Sequence, residues 1–176
     1  MKIDKDHLYY GAALLQVAED SRYTSINCFR EGGNVVRCAY VVNDETGLFL
    51  KYKTAAASGF KYPATNNKKL DGNEYHFQFT AANLAALERL AVRKNKTVIG
   101  LVCVDDKQIC ALKYDELKAL QNHRTRMGDV PGGVLTVYVA LLKGSGFQVF
   151  VPEKGRRGSM CGRINVKRQD FPGRVF

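Results

Sequence analysis

Two carboxylates and two lysines lie close together in residues 43–54, NDETGLFLKYKT. Asp44 and Glu45 come first, and Lys51 and Lys53 follow on a segment that alternates like a β-strand. Carboxylates can hold a divalent metal ion that activates water, and lysines can neutralise phosphates. The stretch therefore raises three hypotheses: a metal-dependent nuclease site, a phosphate-binding surface, or a plain hairpin with an acidic turn.

The lysine strand favours the binding surface. Alternation places Phe49, Lys51 and Lys53 on one face of a strand. The opposite face carries Leu48, Leu50 and Tyr52. The irregular residues 55–73 continue the mixture of rings and lysines with Phe60, Lys61, Tyr62, Lys68 and Lys69. Lysines neutralise phosphates and rings stack on bases, so this mixture is typical of nucleic-acid binding. The alternative is a solvated sheet face followed by an uninvolved loop.

A second basic segment spans residues 153–176, with seven lysines and arginines against two acidic residues. Its glycines would let the backbone approach a phosphate, and arginines can contact phosphates in pairs of hydrogen bonds. The candidate binding residues are Arg156, Arg157, Arg163, Lys167 and Arg168. Its apolar residues predict that part of it docks on the rest of the chain. We therefore expect one α/β domain over residues 1–152 and a partly docked basic extension over residues 153–176.

The net charge points to the same class of partner. The chain of 176 residues has 27 basic and 17 acidic side chains, a net charge of +10. A basic protein favours polyanions such as nucleic acid, although a basic surface can also be uninvolved. The excess is concentrated, because residues 51–69 hold five lysines and no acidic residue. The two basic segments are therefore the places to look for a binding surface.

Apolar spacing predicts three helices, over residues 4–21, 81–95 and 115–126. The apolar stripes are Leu8, Ala12, Leu15 and Ala18 in the first helix, Leu84, Leu87 and Leu90 in the second, and Leu117 and Leu120 in the third. Strands are predicted at residues 23–29, 34–43, 48–54, 74–79, 97–104, 108–114, 134–142 and 147–151, with a short last strand at 163–166. The predicted fold class is α/β (α+β), with a single mixed sheet, largely antiparallel, flanked by about three helices.

This order of elements resembles the core of the PD-(D/E)xK restriction-endonuclease-like nucleases. The resemblance covers roughly residues 5–104 and rests on a helix, a three-strand meander, one extra strand, a further helix and strand, and LKYK at 50–53. It implies a Mg²⁺-dependent nuclease with Lys53 as the motif lysine and Asp44 and Glu45 as metal ligands, joined by Glu19 or Asp20. Lys51 stands where the family has an acidic residue, which implies an inactive relative instead.

The preferred hypothesis is a nucleic-acid-binding protein that contacts phosphates through its two basic segments and needs no cofactor. The first alternative is a metal-dependent nuclease, or an inactive relative, and Mg²⁺ would be its only cofactor. The second is a small interaction or inhibitor protein that binds an acidic protein. The sequence leaves open whether any catalysis occurs, whether the nucleic acid is DNA or RNA, and the oligomeric state.

The cysteines and the N-terminus bear on the compartment. Five cysteines, with no CxxC pair among them, argue against a zinc site and against a disulfide framework. The first residues, MKIDKDHLYY, lack the apolar stretch of a signal peptide, and no apolar run reaches the length of a membrane span. We therefore expect a cytoplasmic protein that does not bind a membrane.

Overall fold

The computed structural model describes residues 2–57, 62–63, 69–70, 72–128, 133–153 and 156–176. Within them the helices are α1 (Lys5–Ala18), α2 (Ala81–Arg93) and α3 (Tyr114–Arg126), with a short 3₁₀ turn at Gly173–Val175. The strands are β1 (Ile26–Glu31), β2 (Asn34–Val42), β3 (Thr46–Lys53), β4 (Tyr62–Pro63), β5 (Lys69–Leu70), β6 (Gly72–Phe79), β7 (Lys96–Cys103), β8 (Gln108–Lys113), β9 (Leu135–Leu142), β10 (Phe147–Glu153) and β11 (Arg156–Val166). The predicted α+β class is confirmed.

The strands form two large sheets, so the prediction of a single sheet is wrong. Sheet A has the order β1-β2-β3-β7-β8 and is mixed, because β3 and β7 are parallel while its other pairs are antiparallel. Sheet B has the order β11-β10-β9-β6 and is antiparallel throughout. The small β4–β5 pair stands apart from both. Alternation predicts where strands occur but carries no information about which strands pair.

Strand β6 shows most directly that the strands form two sheets, because it belongs to sheet B. It follows sheet A strand β3 in sequence, yet it pairs along its whole length with β9, from Gly72 opposite Leu142 to Phe79 opposite Leu135. Residues 156–166 of the predicted extension form β11, which pairs with β10. The chain then crosses to the other side of sheet A, where Phe171 and Val175 are buried.

The main core lies between the sheets and is closed by two helices. Phe49 of sheet A stacks on Phe79 of sheet B, with ring centroids 6.5 Å apart. The predicted stripes of α2 and α3 are confirmed, because both helices turn them into this core. The buried leucines of those stripes are Leu87, Leu90, Leu117 and Leu120. The predicted alternation of β3 is confirmed as well, because Leu48 and Leu50 face α1 on the opposite side of sheet A.

Helix α1 packs on sheet A through a different face from the predicted stripe. Leu8 and Leu15 are 58% and 60% exposed, whereas Ala13 and Val17 are buried. The helix carries apolar residues on both sides, so periodicity alone does not select the packed face. Asp4 begins the helix as expected of a cap, since its carboxylate accepts a hydrogen bond from the amide of His7 at 3.0 Å.

Candidate nucleic-acid interface

Asp44 and Glu45 occupy the tight turn between β2 and β3. Asn43 and Asp44 have φ angles of 51° and 61°, the left-handed pair of a type I′ turn, and the Glu45 amide closes this turn by donating to the Val42 carbonyl at 3.1 Å. Both carboxylates are exposed. Asp44 accepts a hydrogen bond from Asn27 at 3.4 Å, and Lys94 donates to its backbone carbonyl at 2.9 Å. The acidic residues thus form the turn of a hairpin at one end of sheet A.

The structure does not bring the predicted catalytic set together. Lys53 ends β3 and Glu45 precedes it, so at about 3.3 Å per residue the strand holds them roughly 26 Å apart. Asp20 is held by Arg22 through two hydrogen bonds of 2.8 Å. Within the described residues, no three His, Cys, Asp or Glu side chains form a group that could hold a metal ion. Asp44, Glu45 and Lys53 are therefore not one site.

Lys51 supports the start of α2. Its ammonium donates to the Asn83 side chain at 2.8 Å and lies 5.4 Å from the centre of the Phe79 ring. Burial lowers the pKa of Lys51. Asn83 also closes the helix cap, because its side-chain oxygen accepts from the amide of Thr80 at 3.2 Å. Lys51 thus shares a face with Lys53, as predicted, but is half-buried while Lys53 is exposed.

Lys53 belongs to a row of exposed cations at the opposite end of the sheets from Asp44. We call this row the basic edge, where edge means the ends of the strands and not an edge strand. It consists of Lys53, Lys107, Lys143, Lys167 and Arg168. They come from the end of β3, the β7–β8 turn, the β9–β10 turn and the residues after β11. All five are exposed, and none forms an ion pair with a carboxylate in the described part of the chain.

Backbone and side-chain hydrogen bonds connect these loops. The amide of Val104, at the start of the β7–β8 turn, donates to the carbonyl of Lys53 at 3.0 Å. Asp106 of that turn accepts from the side chain of Asn73 in β6 at 2.9 Å. Residue Gly72, next to Asn73, pairs with Leu142, whose carbonyl accepts from the Arg168 guanidinium at 3.0 Å. Lys53 of the first basic segment and Arg168 of the second therefore lie at the same edge.

The acidic residues at this edge leave its positive charge largely uncompensated. Asp106 is engaged by Asn73 and by the hydroxyl of Tyr75. Asp170, which follows Arg168 closely, is paired with Arg174 at 2.9 Å. Asp105 is exposed, without an ion pair to any described residue. Among the described residues, five cations thus face three local carboxylates, of which Asp106 serves the contact between the sheets and Asp170 is paired with Arg174.

The residues that connect β3 to β6, which include Lys61, Lys68 and Lys69, start and end beside the basic edge. The amide of Ala57 donates to the carbonyl of Glu74 in β6 at 2.7 Å, and Gly72 begins β6 two residues earlier. Lys61 and Lys68, which were predicted to bind nucleic acid, lie outside the described residues, as does the side chain of Lys69. The described residues on either side of this segment, Ala57 and Gly72, lie in this part of the molecule.

The predicted cations of the second segment separate along β11. Arg156 and Arg157 begin the strand, and their side chains lie outside the described part of the chain. Lys167 and Arg168 follow its other end, and 11 residues at about 3.3 Å each make the strand roughly 36 Å long. Arg163 is exposed four residues before Lys167. These residues therefore do not form one cluster.

Sequence reasoning missed two members of the basic edge. Lys107 lies in the β7–β8 turn and Lys143 in the β9–β10 turn. The usable signal in the sequence was that each turn carries a lysine next to a predicted strand end. Finding the pair requires knowing that the two turns lie at the same end of the molecule, which strand pairing decides.

The chain matches no family model, no curated protein and no solved structure. The resemblance to the PD-(D/E)xK nucleases therefore stays a prediction that rests on element order. The helices within the described residues lack the length and apolarity needed to cross a bilayer. The basic edge is accordingly the feature on which a function can be argued.

Proposed function

We propose that this protein binds nucleic acid through its phosphates at the basic edge. One observation carries the proposal: Lys53 of the first basic segment and Lys167 and Arg168 of the second lie at the same edge, although more than 100 residues separate them in sequence, and no described carboxylate forms an ion pair with them. Uncompensated cations gain by neutralising phosphates, because the counterions condensed on the nucleic acid are released. This mode of binding reads the backbone rather than the bases.

The residues of the edge differ in what they can contribute. Lys53, Lys107, Lys143 and Lys167 are exposed and can each follow a flexible phosphate backbone. Arg168 is less available to bind a phosphate, because its guanidinium also donates to the carbonyl of Ser145 at 2.8 Å. We therefore assign the phosphate contacts chiefly to the four lysines, and to Arg168 a mainly structural role in holding the β9–β10 turn.

Fluorescence anisotropy with labelled single-stranded DNA, single-stranded RNA and duplex DNA tests this proposal. The variant Lys53→Glu with Lys167→Glu removes one cation from each segment. We expect weaker binding to all sequences alike. The slope of log K against log salt should become shallower by about 0.7 for each lost contact to a single strand, or about 0.9 on a duplex. The comparison of the three probes identifies the preferred nucleic acid.

The matched control is Lys5→Glu with Lys113→Glu, which changes the net charge equally. Lys5 begins α1, and Lys113 ends β8 at the opposite end of that strand from Lys107. We expect the control to keep most of the affinity. Equal losses in both double variants would contradict a defined site, and salt-insensitive binding or none would overturn the proposal. Capture of an acidic protein with no nucleic acid would favour the interaction-protein alternative.

A further inference from the structure

A groove of about 400 Å³ lies between α1 and the first two strands of sheet A, on the face that is turned away from sheet B. Its lining combines rings and carboxylates: Asp4, Asp6, Tyr10, Tyr40, Cys28 and Arg37 are among its residues. Its volume falls within the range of about 300–1,000 Å³ that is typical of small-molecule sites. The phosphate contacts at the basic edge make no use of this groove.

The two carboxylates of the groove differ in the contacts that they already make with charged side chains. Asp4 is occupied, because it caps α1, contacts the His7 ring at 2.7 Å and lies 3.7 Å from the Arg37 guanidinium. Asp6 is half-buried and forms no ion pair within the described residues. Asp6 interacts with the Tyr52 phenol but has no cationic partner among the described residues, so the groove holds one carboxylate whose charge is not neutralised.

Aromatic rings surround this carboxylate. Tyr10 and Tyr40 line the groove, and Tyr52 packs edge-on against Tyr10 with centroids 5.5 Å apart. Burial first, and then nearby groups that include Asp6, raise the pKa of Tyr40 to about 12 and that of Tyr10 further. Both phenols are neutral at physiological pH, and their rings form part of the groove lining. Ring faces combined with a carboxylate are the elements that recognise organic cations.

Gly11 keeps the groove open. It lies inside α1, where glycine costs about 0.5–1 kcal/mol relative to alanine. A side chain built at this position would have nothing within 4 Å of its first carbon. No packing contact therefore demands a glycine, and the missing side chain leaves space along the groove wall.

We propose that this groove binds an organic cation, an alkylammonium or guanidinium group, between Tyr10 and Tyr40 with Asp6 as its counter-charge. An anion is disfavoured, because it would approach two carboxylates while Arg37 is already shared with Asp4. The cation can come from a free small molecule or from a modified lysine side chain, since the recognised group is the same.

Choline and its neutral carbon isostere, 3,3-dimethyl-1-butanol, separate charge recognition from apolar contact. NMR titration of the full-length protein should show saturable shifts at groove residues with choline, and much weaker shifts with the isostere. A trimethyllysine tripeptide provides the second arm, and the tighter of the two cationic probes identifies the source. Equal binding of the isostere, or shifts confined to other parts of the protein, would overturn the proposal.

Two variants locate the site. Gly11→Leu should fill the groove and abolish choline binding, while circular dichroism and the thermal midpoint show that the fold persists. Asp6→Asn should weaken choline binding roughly tenfold, because it removes the counter-charge and keeps the shape. The control Asp115→Asn removes an exposed aspartate from the first turn of α3 and should change nothing. Unchanged affinity in Asp6→Asn or Gly11→Leu would contradict the assignment.

The proposals for the groove and for the basic edge can be tested independently. Gly11 belongs to α1, which packs on one face of sheet A, whereas alternation along β3 places Lys53 on the same face as Lys51, which contacts Asn83 of α2 on the other side. Nucleic-acid affinity should therefore be the same in Gly11→Leu as in the unmodified protein. Loss of nucleic-acid binding in that variant would show that the two sites are not separate.

Discussion

At the scale of single residues, Glu74 stands out because it is an ionisable side chain in the interior of the protein. It is fully buried on β6, where one carboxylate oxygen contacts His76 and the other has no hydrogen-bond partner among the described residues. The His76 ring stacks on Tyr138 with centroids 3.9 Å apart. Burial is the largest influence and raises the pKa of Glu74, while His76 opposes the rise. A buried charge that is only half satisfied lowers stability unless the group takes up a proton.

This raised pKa gives a pH dependence with a defined sign. Above an ordinary pKa of 4.5 the unfolded chain releases the proton while the native Glu74 retains it, so the native state binds more protons. The free energy of unfolding should therefore fall as the pH rises from 4.5 through the native pKa. Urea unfolding of the unmodified protein and Glu74→Gln over this pH range measures it, and Glu74→Gln should lack this decline.

His76 and Tyr138 are the titratable neighbours that face Glu74 within the described residues. A second variant, His76→Gln, separates their contribution, because it keeps a hydrogen-bonding side chain without an imidazole charge. With His76 removed, the native pKa of Glu74 should rise further and the decline should extend to higher pH. Parallel pH profiles for Glu74→Gln and the unmodified protein would contradict the assignment to Glu74.

At the scale of elements, helix α1 packs on sheet A with one side and leaves leucines on its other side exposed. Ala13 and Val17 pack on sheet A, while Leu8 and Leu15 remain exposed. The helix has no basic residue in its last turn and begins with an aspartate cap. Its stability therefore depends on the cap and on the packed face, so a glycine in its interior matters.

Replacing Gly11 by alanine should stabilise the protein by about 0.5–1 kcal/mol, because alanine restricts the unfolded chain and fits the open position. Thermal or urea unfolding measures the change. Gly47→Ala is the contrasting variant, since its first side-chain carbon would lie 2.6 Å from Leu90 and 2.9 Å from Thr97. That variant should be destabilised by about 1–3 kcal/mol. Destabilisation by Gly11→Ala would mean that the groove wall is already filled.

At the scale of the whole molecule, hydrogen bonds beside the basic edge tie the two sheets together. Tyr75 is fully buried on β6, and its hydroxyl donates to the carboxylate of Asp106 in the β7–β8 turn. The amide of Asp106 donates back to that hydroxyl at 3.2 Å, and Asn73 adds a contact to the same carboxylate at 2.9 Å. These contacts hold the loops of the basic edge in a fixed arrangement.

Removing the Tyr75 hydroxyl should loosen this junction. Tyr75→Phe keeps the buried ring but leaves Asp106 without one of its donors, so we expect a loss of about 1–3 kcal/mol in the free energy of unfolding. Tyr9→Phe is the control, because the Tyr9 hydroxyl makes no hydrogen bond within the described residues, and it should change stability by less than about 0.5 kcal/mol. Equal effects of the two variants would show that the junction contributes little.

Local patterns predicted most elements but not their arrangement. The stripes of α2 and α3 and the alternation of β3 were confirmed, because each depends on neighbours within a few residues. The packed face of α1 was not predicted, since both of its sides are apolar. The single sheet was wrong because β6 pairs with β9, more than 50 residues later, through contacts that no local pattern encodes.

The sequence by itself determined the charge, the two basic segments, the helices and the facing of Lys51 and Lys53. Only the tertiary structure decided that Asp44 and Glu45 lie at the far end of β3 from Lys53, and that Lys107 and Lys143 lie at the same edge as Lys167. The physical reason is that periodicity fixes the face on which a side chain lies. Strand register and sheet membership fix which distant side chains become neighbours.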